Sequence, residues 1–310
     1  MVSLHTKTFT VLLILTLMGL SACQSPNTND QQKQVFKIVA TTGMIGDVVA
    51  NIAGNKAEVS FLMGPGVDPH LYKATKSDLD KIREADIVFY NGIGLEAKMA
   101  EVFAKVKEKK FFAVGESVPK ENLIILEGTE NETDPHFWLD VALWAKTVDF
   151  IAQKLGEKDA ANRQFYADNA AKYKQKLLDL DKKVRETMAA IPEKRRVLVT
   201  AHDAFGYFSK SYNVKVKSLQ GISTATEFGL KDIAELVDFI VKNEVKAVFV
   251  ESFISPKSLE AVVKGCEEKG HKVKIGGMLY TDAVGEKNTP EATYIGMIEA
   301  NLRLLSEGLK

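Results

Sequence analysis

Four short runs of nearly unbroken apolar, β-branched character recur along the chain: FKIVAT at 36–41, DIVFYN at 86–91, RVLVTA at 196–201 and AVFVES at 247–252. Such runs suit parallel strands buried on both faces. AEVSFLM and KIGGMLY read as further strands. Between the runs lie helical stretches with start signals, and Ser255-Pro256 and Thr289-Pro290 each set a cap residue before a proline at the first helical position. Repeated strand–helix units predict an α/β fold with largely parallel sheets flanked by helices.

One segment breaks that rhythm. Residues 159–191 contain no glycine or proline, and Tyr173, Leu177, Leu180, Val184, Met188 and Ile191 recur at steps of three and four. That spacing draws one apolar helical face, which Pro192 ends. About 30 residues at 1.5 Å each make a helix of roughly 45 Å, too long for a crossover within one small sheet. The pattern predicts a rigid helix (161–191) joining two α/β lobes, 36–160 and 192–310, with a crevice where strand ends of the lobes meet. A protruding coiled-coil arm is the alternative.

The amino-terminal 35 residues follow other rules. Residues 9–20 are apolar apart from threonines and a glycine, follow Lys7, and end in Leu20-Ser21-Ala22-Cys23. The run is short for a membrane span and suits the core of a signal peptide, expected over 1–22. Small residues before a cysteine resemble a bacterial lipobox, which makes Cys23 the expected lipidation site and the chain an anchored, extracytoplasmic protein. QSPNTNDQQKQ (24–34) has no apolar residue, so 23–35 reads as a flexible tether with a reach of roughly 20 Å.

Composition narrows the partners. Lys+Arg and Asp+Glu both number 41, so the formal net charge is zero, and no overall field favours nucleic acid. A monomer is expected. Lipidated Cys23 would leave Cys266 as the other of two cysteines, a buried helical thiol with no disulfide partner.

Of five histidines, His5 lies in the signal segment and His271 in KGHKVK, read as a solvated turn. His70 (VDPHLY), His136 (TDPHFWLD) and His202 (VTAHDAF) stand in loops near strand ends, where open α/β sheets place their ligand crevice. Asp282, in the turn after KIGGMLY, can add an anionic oxygen. Imidazoles suit zinc, manganese and iron. The acids beside these histidines, in two Asp-Pro-His tripeptides and in His202-Asp203, can orient a ring or take its second N–H. Ligands this far apart make no short motif, and spacing alone leaves a metal site only plausible. Neutral rings would lose metal as pH drops through about 6.5.

Three rival readings accompany it. Gly92-Ile93-Gly94-Leu95-Glu96-Ala97, with Glu116 further on, mimics a dinucleotide fingerprint. However, it is not on the first strand, and Glu96 would oppose a pyrophosphate, so a tight strand-to-helix turn is the preferred reading. An exported zinc-dependent hydrolase could use Glu251 or Asp203 as general base, although a fourth protein ligand would fill the position that water needs. A surface adhesin has no sequence feature in its support.

The stretches ATTGMIGDVV, VDPHLYKATKSD, ADIVFYNGIGLE, DPHFWLD, TAHDAFGYF, LQGISTATEFGL, VFVESFISPKSLEAV and LYTDAVG together resemble the metal-binding solute-binding lipoproteins of ABC transporters, the TroA, pneumococcal surface antigen A and ZnuA family (cluster A-I). The resemblance runs from about residue 35 to the end. It implies two α/β lobes bridged by one long helix, with His70, His136, His202 and Asp282 holding one divalent ion. It further implies manganese or zinc as cargo (iron(II) also fits), passed to a permease with its ATPase. His202 stands where manganese-dedicated members commonly carry glutamate. ENLIILEGTENETDP lacks the histidine-rich loop of many zinc specialists. The ligand set favours zinc over manganese on the Irving–Williams order.

Overall fold

The computed structural model describes residues 35–105, 110–126, 128, 129 and 132–310; the expected signal, Cys23 and most of the tether lie outside them. The four apolar runs become central strands. The first sheet contains β1 (Phe36–Ala40), β2 (Ala57–Phe61), β3 (Ile87–Tyr90) and β4 (Phe111–Ala113). The second contains β5 (Val197–Thr200), β6 (Lys215–Ser218), β7 (Ala247–Glu251) and β8 (Lys274–Leu279). The orders are β2-β1-β3-β4 and β6-β5-β7-β8, and all pairings are parallel. Both halves therefore share one topology, with its switch point between β1 and β3 in the first and between β5 and β7 in the second.

Helices α1 (Gly43–Ala53), α2 (Lys76–Glu84), α3 (Ala100–Lys105) and α4 (Val141–Lys158) accompany the first sheet. The long α5 (Arg163–Ala189) follows, then α6 (Gly206–Tyr212), α7 (Leu230–Lys242), α8 (Lys257–Glu268) and α9 (Tyr294–Gly308). No helix among the described residues is long and apolar enough to cross a membrane.

The expected long helix is present as 27 residues, about 40 Å. It is no protruding arm, because its apolar face from Tyr166 to Met188 is buried. Near its start, Asn169 Nδ2 donates to the Ile52 carbonyl at the end of α1 (3.1 Å), and Tyr173 hydroxyl donates to Asp47 Oδ2 (2.5 Å). Towards its end, Asp181 accepts from Tyr212 of α6 (2.9 Å), and Arg185 donates to the Ser211 carbonyl (2.8 Å). One continuous apolar core runs beneath both sheets, from Ile38, Ile45 and Phe89 through Trp144 and Leu177 to Leu198, Phe249 and Leu302.

Helix starts differ from the proline signals. Pro290 opens a single 3-10 turn (Pro290–Ala292), and α9 instead starts after its cap Thr293, whose hydroxyl accepts from Gly296 N–H (3.1 Å). Ser255 makes no side-chain cap for α8. The edge strands β4 and β6 carry too few residues, or too polar an alternation (KVKS), to be legible from sequence.

Leu177 is fully buried on α5, whereas Leu178 is 42% exposed. We expect Leu177→Ala to cost about 2–5 kcal/mol of unfolding free energy, and Leu178→Ala less than about 1 kcal/mol. Urea denaturation of the two variants checks this, and equal costs would contradict the assigned face.

Candidate metal centre

The seam between the two sheets is drawn tight by the first turn of α1. A Cβ on Gly43 would lie 2.5 Å from Val284 Cγ2, so any larger residue after β1 would force the Val284 side chain, two residues after Asp282, to shift. Into this seam each half sends side chains from the ends of its strands. His70 comes from the loop after β2, and His136 from the segment leading into α4. His202 follows β5, and Asp282 lies in the turn after β8.

The four expected residues converge. One nitrogen or oxygen of each lies within 4.8 Å of the others, and all four residues are buried. His70 Nε2 is 3.2 Å from His136 Nε2 and 3.3 Å from Asp282 Oδ2. Asp282 Oδ1 is 3.5 Å from His136 Nε2, and its Oδ2 is 3.4 Å from His202 Nε2. Neither Asp282 oxygen has a hydrogen-bond partner. A carboxylate so buried and so unpartnered is costly unless positive charge faces it.

Two of the imidazoles are clamped from behind. His136 Nδ1 meets Asp134 Oδ1 at 2.7 Å, and the same oxygen accepts His136 N–H at 2.9 Å. Tyr207 hydroxyl donates to the Asp134 carbonyl (2.9 Å). His202 Nδ1 contacts Glu251 Oε2. Glu251 Oε1 accepts His202 N–H (2.9 Å), and its Oε2 accepts Thr281 hydroxyl (2.7 Å). A carboxylate on Nδ1 fixes each ring's orientation and leaves Nε2 facing the quartet.

Of the three acids expected to orient rings, Asp134 does so. Asp68 instead accepts His70 backbone N–H (2.9 Å), and no hydrogen bond or ion pair joins Asp203 to a histidine ring. The partner of His202 is Glu251, from the end of β7, 49 residues away. No local signal pointed to it, because parallel pairing of β5 with β7 brings the two together. Glu251, one of the two bases named in the rival hydrolase reading, is thus engaged by His202 and Thr281. Asp203 lines the adjoining cleft. His271 is half-buried, not solvated, and its Nε2 lies 2.7 Å from the Val245 carbonyl. Cys266 is buried on α8 as expected.

Charge follows from this geometry. Burial alone lowers the pKa of His136, but the charges of Asp282 and Asp134 outweigh it and raise the value to about 9. Burial is likewise overcome at His202, which Glu251 and Asp282 hold well above the usual histidine range. Burial raises the pKa of Asp282, and the facing His136 and His202 more than reverse this. Asp203 is pushed up by burial and then by Asp134.

The glycine turn that mimics a dinucleotide site is filled by its own chain. Gly92, Ile93 and Gly94 all have positive φ. The buried Glu96 carboxylate accepts from Asn91 N–H (2.7 Å), Gly92 N–H (3.1 Å) and Thr41 hydroxyl (2.7 Å). Two backbone donors of the turn are thus engaged by a carboxylate of the same chain, which would repel a phosphate there.

Trp138 ties the two contributions together. Its indole N–H donates to the Thr281 carbonyl (2.7 Å), and its own carbonyl accepts Tyr294 hydroxyl (2.6 Å). A cleft of about 1120 Å³ adjoins the quartet, and His70 is the quartet member on its wall.

Comparison with known proteins fits this arrangement. Residues 38–308 match the family described as zinc-uptake complex component A, periplasmic (ZnuA). The chain is 46% identical to the manganese-binding lipoprotein MntA of Bacillus subtilis (strain 168), over 96% of this chain and 97% of the relative. It is 44% identical to the zinc-binding protein TroA of Treponema pallidum (strain Nichols), over 86% of each. The solved structure of periplasmic zinc-binding TroA from Treponema pallidum superposes with a TM-score of 0.86 at 43% identity, covering 89% of this chain and 99% of that one. With the twin parallel sheets, the long helix and the buried donor quartet already in place, the match over residues 38–308 makes this chain a member of the ZnuA family.

Proposed function

We propose that this protein captures one divalent transition-metal ion, manganese or zinc, on His70, His136, His202 and Asp282 and carries it to an ABC permease and its ATPase for import. The observation that carries this reading is the spacing of the donors. Tetrahedral ligands 2.0–2.1 Å from zinc lie about 3.3–3.4 Å apart; here Asp282 Oδ2 stands 3.3 Å from His70 Nε2 and 3.4 Å from His202 Nε2, the His70 and His136 Nε2 atoms are 3.2 Å apart, and one donor atom of each residue lies within 4.8 Å of the others. An ion at their centre would also supply the positive charge that both orphaned oxygens of Asp282 require.

A carrier fits better than a hydrolase. Four protein donors fill a tetrahedral shell, leaving no position for an activated water. Glu251 is committed to His202 and Thr281. Residues 36–160 and 192–310 serve as the two lobes with 161–191 as the strut, and lipid on Cys23 holds the body outside the membrane. Family membership supports this placement. Relatives named for manganese and for zinc stand at similar identity, while the donor set itself favours zinc.

Calorimetry is expected to find one ion per chain. His70→Ala, His136→Ala, His202→Ala and Asp282→Ala should each greatly weaken binding, and unchanged affinity in any one removes that residue from the site. Glu251→Gln should weaken binding by about 10- to 100-fold through loss of the His202 clamp, and an unaltered affinity would leave Glu251 structural only. Elemental analysis after manganese–zinc competition identifies the cargo.

The carboxylates around the rings move proton competition to higher pH than the 6.5 of a free histidine. A histidine pKa raised to about 9 in the folded, metal-free protein contributes stability below its unfolded value of about 6.5, and loses it as pH rises through about 9. Metal must displace those protons at neutral pH. Binding should therefore tighten from pH 6 to 9 and release protons at pH 7. Calorimetric enthalpies that do not vary with the buffer's ionisation enthalpy would contradict this.

A further inference from the structure

We propose that the hydrogen bond from Thr224 to Asp68 is a latch that sets how long bound metal stays, acting through His70; the inference rests on the carrier reading above. His136 and His202 are each held at Nδ1 by a buried carboxylate. Among the described residues His70 has no such clamp, and the hydrogen-bond and ion-pair partners of its ring lie at Nε2 and belong to the quartet.

What holds His70 is its backbone. Its N–H donates to Asp68 Oδ1 at 2.9 Å, while Asp68 Oδ2 accepts the Thr224 hydroxyl at 2.6 Å. One carboxylate thus spans the seam, from the ligand-bearing loop of the first half to the loop after β6 in the second. Among the described residues, no other hydrogen bond joins residues 62–75 to the second half. His70 is also the quartet member that lines the adjoining cleft.

These facts give His70 a distinct part. The other three donors are fixed by buried partners or by the Thr281–Trp138 contact behind the Asp282 turn. His70 can leave if its loop lifts, and lifting that loop breaks the Thr224–Asp68 bond. Thr224 is a positioning residue, since it touches no metal donor in its hydrogen bonding. Loss of a hydrogen bond to a charged group is expected to speed a release step that breaks it by about ten- to 150-fold.

The test uses full-length protein loaded with Zn2+ and mixed rapidly with excess chromogenic chelator, with rates extrapolated to zero chelator. Thr224→Val should release zinc about ten- to 150-fold faster than the parent chain, with the association rate within about twofold. Thr224→Ser, which keeps the hydroxyl, should release at the parent rate, and metal-free melting temperatures should agree among the three proteins. Release from Thr224→Val as slow as from the parent overturns the latch, as does Thr224→Ser releasing as fast as Thr224→Val. Failure of the parent chain to bind zinc or manganese at all overturns the carrier reading instead.

Discussion

A carboxylate with both oxygens out of water and no hydrogen-bond donor cannot persist without positive charge beside it, and Asp282 is such a group. Three imidazole nitrogens face it from two different sheets. Each half alone would hold an incomplete set, with two histidines in the first and a histidine and an aspartate in the second. The quartet exists only because the sheets present their carboxyl ends to one seam, and the fold is largely a device for keeping that seam in register.

Several features keep it there. The apolar core does not stop at the boundary between sheets but continues through α4, α5 and α9. The long helix is hydrogen-bonded to α1 near one end and to α6 near the other. Trp138 and Tyr294 bond the segment after His136 to the turn before Asp282 and to α9. Separating the halves would expose much of this shared core, so movement that admits or frees an ion is expected to fall on loops and not on whole lobes. The loop carrying His70 is the part of the site with the fewest such ties.

The acids behind the rings have two effects. Asp134 and Glu251 aim His136 and His202, and with Asp282 they also raise the proton affinity of those rings. The same charges that attract a dication therefore attract its competitor, the proton. Protons are therefore expected to compete with metal for those ring nitrogens.

The sequence alone was enough for the central strands, the long helix and its buried face, because continuous apolar runs and a three-to-four spacing are local signals. Its motifs, through family resemblance, also named His70, His136, His202 and Asp282. Other features needed the tertiary structure. Glu251 serves His202 across 49 residues, and Asp68 reaches Thr224 across 156. Glu96 takes the Asn91 and Gly92 N–H groups of the glycine turn, and α9 begins after the Thr293 cap instead of at the proline signal. Donor types and periodicities are written along the chain, whereas which charge lies behind which ring depends on strand pairing and on the meeting of two sheets, contacts between residues far apart in sequence.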